Sequence, residues 1–577
     1  MHLRNLQPYV GETRKLVVAL DIGTTFSAIS YVILENGIVP EVHGVNRFPH
    51  QELVHGGLKI PSIVYYDGDG SVSAIGAQAL SEDIIEQAER NKWFKCEWFK
   101  LHVKPPVSHA IPSFPPNKTV VEVLADFMAF LVSCARDFIT ESYPQVGGGM
   151  WQDYQLEYVI SHPNGWDGAE QHTLRQAALR ASLISDVNSD RVSFITEGEA
   201  SLHFCLATLP TLSELSSDKT LVVLDAGGGT VDLSSYRRIS ENASLGYTEA
   251  SVPECYYSGS VFVTQKAKIF FEEKLTGTQF EPDIPSLCEF FDQTTKTSFA
   301  SPNDSQWIRF SNRKQDTNEI LNIKAGRLKI PGSTVEAFFA DSVQAIIYAI
   351  VKQMQLHGVS LSVILLVGGY AASPYLSSTV NSTVKSISNA NIEVLRPNQH
   401  TSKAVSDGSL LYYLEHSVMS RVVRYALGTQ CYRVYDPRDP EHFRHKDLVQ
   451  LSDLGVKEIH SMFSVIIDKG ICVEENTEYR QPFWQEKLDV SELKSVSAEI
   501  FSYDSEGVVP EFLDDAPEKF RLLCTVEANT SEACKHLKPK TQRKKQYYRL
   551  DYEVILLMGL TELRAQVAWK VNGQEYR

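Results

Sequence analysis

The chain has 577 residues, 43% of them hydrophobic and 22% charged, with a formal net charge of −16. That composition belongs to a folded globular protein, and its acidity excludes a mainly electrostatic nucleic-acid binder, which needs a basic face. Nine widely spaced Cys with no Cys-x-x-Cys pattern predict reduced thiols and a cytoplasmic protein, with the nucleus as the alternative. The N-terminal stretch lacks the apolar core of a signal peptide, and no uninterrupted apolar run approaches the roughly 18 residues of a membrane span. We therefore expect no membrane and no nucleic-acid partner.

In chain order, LVVAL and SAISYVIL (16–20 and 27–34) read as strands around a small turn, followed by IPSIVYY (60–66). A long helix is predicted over TVVEVLADFMAFLVSCARDFITESY, where apolar residues recur at three and four. VGGGMW (146–151) reads as a loop, with no strand before its glycines and no helix start after them. LEYVIS is a strand, GAEQHTLRQAALRASLI a helix, VSFITE a strand and EASLHFCLATL a helix. A polar loop spans 209–219, and TLVVLDAGGGTVDLSSYR opens a second half. There SVFVTQKAKIFFEEKL and VEAFFADSVQAIIYAIVKQMQ are helices, on either side of a polar excursion at about 292–320. SVILLVGGY is a strand, with a helix starting near Ser373-Pro374. EVLRP and SKAVSDGSLLYYLEH complete an alternating α/β pattern. After about residue 418 helical periodicity gives way to short β-like stretches: MFSVII, SAEIFSY, RLLCTVEA, YRLDYEVILLM and RAQVAWKV. The basic segment KHLKPKTQRKK (535–545) reads as a solvated hairpin connection within this β-rich region.

The turn after the first strand is ambiguous by itself. Asp21-Ile22-Gly23-Thr24-Thr25 fits an ordinary hairpin or a phosphate site whose turn amides face an anion while Asp21 faces its metal. An internal repeat decides between them. LVVALDIGTTFSAIS matches LVVLDAGGGTVDLSS, with Asp21 opposite Asp225, 204 residues on (225 − 21), Gly23 opposite Gly227, and Thr24 and Thr25 opposite Gly228 and Gly229. Two such turns can embrace a polyphosphate, and two carboxylates brought together call for a cation, since without one they repel or take up a proton. A third element, SVILLVGGYAASPYL, sets Gly368-Gly369 between a strand and a helix start, where backbone can pack against a nucleoside.

These motifs resemble those of the actin-like ATPase superfamily, and most nearly the seventy-kilodalton heat-shock chaperones in their divergent subfamily of fungi and animals. DIGTTFS (21–27) is similar to the first phosphate motif, DAGGGTVDLS (225–234) to the second and LVGGYAASPYL (366–376) to the adenosine motif. FITEGEAS (194–201) and KAVSDGSLL (403–411) are similar to the two connecting segments, and the likeness runs over about 14–415. It implies an α/β fold of two RNase-H-like lobes, about 14–205 and 218–415, within a nucleotide-binding domain at 1–415. A β-rich domain at 416–577 resembles a lidless peptide-binding β-sandwich. The resemblance implies ATP or ADP with Mg²⁺ as ligands. Asp21 and Asp225 would hold Mg²⁺ through water, and Gly23, Thr24, Thr25, Gly227, Gly228, Gly229 and Asp232 would belong to the phosphate turns. Gly259, Gly368, Gly369 and Tyr370 would lie beside the nucleotide. Lys100, Glu197, Asp225 and Thr230 would serve catalysis, types that suit phosphoryl transfer. Outside the resemblance, Lys100 reads as a snorkelling surface lysine and Glu197 as a cap of the following helix.

There are departures from the family pattern. The basic adenine-stacking segment is reduced to Lys296, Ala371-Ala372 replaces a polar residue and an arginine, and SVMSRVVRYALG stands where an acidic-leucine linker joins the chaperone domains. The expected function is slow ATP hydrolysis coupled to client-peptide or partner-protein binding. The alternatives are a nucleotide-binding regulatory module with little turnover and, further off, a small-molecule kinase.

Overall fold

The computed structural model describes residues 6–54, 57–106, 111–216, 219–241, 244–357, 360–387, 392–397, 401–474, 477–505, 507–559 and 562–577. The first five residues, and 217–218 of the polar loop predicted at 209–219, lie outside the described residues. The chain is mixed α/β with a β-rich C-terminal part, and divides into two units, 1–417 and 418–577.

In the first unit, Lys15–Asp21 (β1) is buried from Leu16 onward, so a run of apolar residues, rather than an alternation, forms the strand. It pairs antiparallel with Phe26–Leu34 (β2) across the turn and parallel with Gln155–His162 (β3), which pairs parallel with Val192–Thr196 (β4). The sheet order is β2-β1-β3-β4. The second sheet repeats it. Thr220–Ala226 (β5) pairs antiparallel with Val231–Glu241 (β6) and parallel with Leu361–Val367 (β7), itself parallel to Glu393–Leu395 (β8), giving β6-β5-β7-β8. The sequence repeat is thus a repeat of strand order, with Asp21 ending β1 and Asp225 near the end of β5.

Each sheet has its own core. Leu16, Val18 and Leu20 pack with Phe127, Met128 and Leu131 of Val120–Ser142 (α1). That helix starts at a capping box in which Thr119 and Glu122 satisfy each other's backbone amides. Val222 and Leu224 pack with Phe271 of Ser260–Leu275 (α3) and with Phe339, Ile346 and Ile350 of Gly332–His357 (α4). By length and composition α4 could cross a bilayer, but these residues are buried in the second core. Glu197–Thr208 (α2) follows β4 without a break and packs on Ala404–Glu415 (α5). A Cβ on Gly408 would fall 1.9 Å from the Ala200 carbonyl oxygen, so the two helices touch backbone to backbone and only glycine fits.

The loop expected at VGGGMW is instead a short helix, Gly147–Asp153. Its first glycine serves packing: a Cβ on Gly147 would lie 2.6 Å from the Ile139 carbonyl oxygen of α1, and Met150 is buried in the first core. Close approach to α1 outweighed the poor helix propensity of three glycines. The polar excursion at 292–320 also holds local order, including a strand at Gln306–Arg309 paired with Arg327–Ile330.

In the second unit two antiparallel sheets share one core. One holds Ala426–Val434 (β9), Lys457–Ile467 (β10), Ser495–Tyr503 (β12) and Phe520–Asn529 (β13) in the order β10-β9-β12-β13. The other holds Glu478–Lys487 (β11), Lys545–Gly559 (β14) and Glu562–Val571 (β15) in the order β11-β14-β15. The basic segment ends in a hairpin, Lys540–Gln542 against β14, with Arg543 and Lys544 both at positive φ as a tight two-residue turn requires.

Candidate functional site

The two repeated turns meet. A Cβ on Gly228 would fall 2.6 Å from Thr25 Oγ1, and one on Gly229 would fall 2.3 Å from Thr24 Oγ1. The contact is crossed relative to the sequence repeat: Gly228, aligned with Thr24, faces Thr25, and Gly229, aligned with Thr25, faces Thr24. Both turns are built the same way. In the first, Ser62 holds the carbonyls from behind: its Oγ donates to Gly23 O (2.8 Å) and its amide to Thr25 O (2.9 Å). In the second, the start of α3 does this, with the amides of Gly259, Ser260 and Val261 donating to the carbonyls of Gly229, Gly227 and Gly228 at 3.2, 3.1 and 2.9 Å. The amides of Thr24, Thr25, Gly228 and Gly229 are left with no hydrogen bond among the described residues. Four unpaired donors on two adjoining turns make a site suited to an anion.

These turns line a cleft of about 320 Å³ together with Asp21, Lys59, Lys100, Glu197, Asp225, Thr230, Gly368 and Gly369. Asp21 and Asp225 are both buried, at 3% and 4% exposure. Ser201 Oγ donates to Asp225 at 2.7 Å, and Lys59 Nζ donates to Asp21 at 3.0 Å. Gly368, at φ +89°, brings the strand end so close that a Cβ would fall 2.3 Å from Asp225 Oδ1. Lys100 is not a surface lysine: it is 5% exposed, ion-paired with Glu197, and 5.7 Å from the Trp166 ring centroid. Glu197 does not cap α2. Thr196 does, accepting from the Glu199 amide, which leaves the Glu197 carboxylate to Lys100.

Three expected site residues stand behind the cleft wall. Asp232 is buried and accepts from the Asn164 amide at 2.6 Å. Gly259 backs the second turn, where a Cβ would fall 2.3 Å from Gly228 O. Tyr370 is buried against Phe339. Lys296 is also outside the lining, since it donates to Thr264 Oγ1 at 3.0 Å and pairs with Asp292. Conversely, sequence reasoning missed Lys59 and the anchoring role of Ser62. Their contacts span 38 and 39 residues, and the only signal was their place at the start of IPSIVYY, next to the first turn's strand.

Electrostatics follow from packing carboxylates into a buried space. Burial first, then Glu197 and Asp21, push Asp225 up to about 7. Burial and Glu197 hold Asp232 well above the usual carboxylate range. Burial alone would lower the Lys100 ammonium, but the charges of Glu197 and Asp21 hold it above its ordinary value. The donors present suit a hard cation, Mg²⁺, which takes few protein oxygens and keeps its waters, because two buried carboxyl groups, Asp21 and Asp225, line the cleft together.

A pH dependence follows. A carboxyl whose folded pKa is raised binds its proton more tightly folded than unfolded, so its contribution is full below about pH 4 and is lost as pH rises through the folded value. With nucleotide and divalent cation removed, thermal stability is expected to fall from pH 5 to pH 8, and Asp232→Asn, which cannot ionise, to flatten that slope. An unchanged slope in the variant contradicts the assignment to Asp232.

The second unit has a cavity of its own. β9 and β12 pair over Ala426–Thr429 and then part, β9 continuing on β10 and β12 on β13. The gap, about 330 Å³, is lined by Tyr432, His460, Trp484, Ser497, Glu499 and Tyr552 among others, with Tyr432 and His460 stacked at 5.3 Å.

Two phosphate-type turns on two sheets of the same strand order, closing on a pair of buried carboxylates, define the class of site. No family model matches the chain. It is similar to mouse (Mus musculus) Heat shock 70 kDa protein 12A, 22% identical over 519 residues, which cover 76% of this chain and 75% of that protein. Human (Homo sapiens) Heat shock 70 kDa protein 12A is 26% identical over 222 residues, 37% of this chain and 32% of that one. These likenesses support a divergent protein that resembles the seventy-kilodalton heat-shock type.

Proposed function

We propose that the protein binds ATP or ADP in the cleft between the two turns, hydrolyses ATP slowly, and couples this to binding of client peptides or a partner protein. The single observation that carries the reading is the pair of facing turns whose carbonyls are held from behind and whose four amides have no acceptor among the described residues. The repeated strand order supports two RNase-H-like lobes of the actin-like kind.

In this reading Thr24, Thr25, Gly227–Gly229 and Thr230 hold the phosphates and Gly368-Gly369 the adenosine. Asp21 and Asp225 would hold Mg²⁺ through water, and the ion when bound neutralises phosphate charge. Lys100 places a positive charge beside the transferred group, and Glu197 orients the attacking water. Asp232, Gly259 and Tyr370 act by holding the second turn and the strand end in place. Clients would lie in the aromatic cavity between β9 and β12.

One observation favours the module with little turnover: Lys100 and Glu197 neutralise each other in the cleft, so each must leave its partner before acting. ATP titration with turnover measured in the same sample separates the two. A ligand that binds only the native state, at about 100 times its Kd, adds about 2.7 kcal/mol of stability, so a clear rise in Tm is expected under either reading. Accompanying release of phosphate supports the ATPase. No rise in Tm at millimolar ATP with Mg²⁺ rejects the nucleotide site.

A further inference from the structure

We infer that Lys59 is a resident cation of this cleft, sharing the divalent ion's work of neutralising phosphate, so that the nucleotide is held with little dependence on Mg²⁺. The inference rests on the nucleotide reading and adds to it a residue whose role is specificity rather than chemistry.

The placement is fixed by backbone. Ile60-Pro61 pairs with Ser27 and Phe26 at the start of β2, which puts Lys59 beside the first turn. From there its Nζ reaches Asp21 Oδ2 at 3.0 Å, and its charge also acts on Asp225. Lys59 therefore lies where the two carboxylates assigned to the metal need positive charge.

The other cleft lysine is committed differently. The Lys100 side chain is 6% exposed and paired with Glu197, whereas that of Lys59 is 24% exposed with Asp21 as its one bonded partner among the described residues. Lys403, close behind, gives its Nζ to the carbonyls of Ile29 and Val45 and is buried. Among the described cleft residues, Lys59 is the ammonium with both an anion partner that a metal would compete for and the freedom to turn toward a phosphate. A lysine acts on phosphate as a point charge on a flexible stem, so the swing from Asp21 needs no backbone movement.

The test is calorimetric titration of the full chain with ATP, in Mg²⁺ and in EDTA. Wild type is expected to lose less than about threefold in affinity on chelation. Lys59→Met is expected to bind within about threefold of wild type in Mg²⁺, because Asp21 is freed for the ion, and to lose at least about tenfold in EDTA, the effect of one charge-assisted contact. Lys59→Arg keeps the charge and is expected to behave as wild type. A merely structural role would weaken Lys59→Met equally in both buffers, and that result overturns the inference, as does equal Mg²⁺ dependence in wild type and Lys59→Met. No binding by wild type in either buffer overturns the nucleotide reading itself, and the inference with it.

Discussion

Replacing Gly229 with valine is expected to reduce ATP-induced stabilisation and to lower ATP affinity by up to about 100-fold. A Cβ at this position would fall 2.3 Å from Thr24 Oγ1 and 3.0 Å from Leu101 Cδ2, so a branched side chain drives the two turns apart. Overpacking of this kind costs about 1–3 kcal/mol, and 2.8 kcal/mol is about 100-fold in affinity. The same side chain would also shield turn amides that have no hydrogen-bond partner among the described residues. Because the clash is mutual, Gly229→Ala and Thr24→Ala should be non-additive in stability without nucleotide, the double variant being more stable than the sum of the single changes. Undiminished ATP binding by Gly229→Val would mean that the turns do not hold the ligand.

Lys100→Ala is expected to keep ATP binding while reducing single-turnover hydrolysis at least about 100-fold, the scale of losing one preorganised group facing developing charge. It should also destabilise the unliganded protein. The Lys100–Glu197 pair is buried, and removing one partner leaves the other uncompensated, at a cost of about 3–5 kcal/mol. Lys100→Met with Glu197→Gln removes both charges and is expected to recover most of that stability without recovering turnover. Stability and chemistry therefore separate in this series. Turnover unchanged in Lys100→Ala would refute the role given to it.

Much of the site was legible because its elements are local. β1 and β5 announce themselves as apolar runs ending in Asp and a glycine-bearing turn, and the repeat between them is visible in the letters. The alternation of strands and long helices, and its replacement by short strands after about residue 418, follow from periodicity alone. What periodicity cannot show is which residues meet across long separations. Ser62 anchors the carbonyls of Gly23 and Thr25 from 39 (62 − 23) and 37 (62 − 25) positions away, and the start of α3 anchors those of the second turn from 30 (259 − 229) to 33 (260 − 227) positions away, by contacts that carry no sequence signature. Lys59 looked like any lysine before a short strand. The helix at Gly147–Asp153 was hidden because three glycines argue for a loop, whereas packing against α1 requires a residue without a side chain. Gly259, expected beside the nucleotide, supports the second turn from behind.

The central claim is that backbone amides of two turns, 204 residues apart (225 − 21), hold one triphosphate. Hydrogen exchange of the full chain, with and without saturating ATP and Mg²⁺, reads those amides directly. The account predicts that nucleotide slows exchange in the segments containing 22–25 and 227–230 together and over the same concentration range. Protection of one segment without the other, or of neither while ATP is bound, would contradict it.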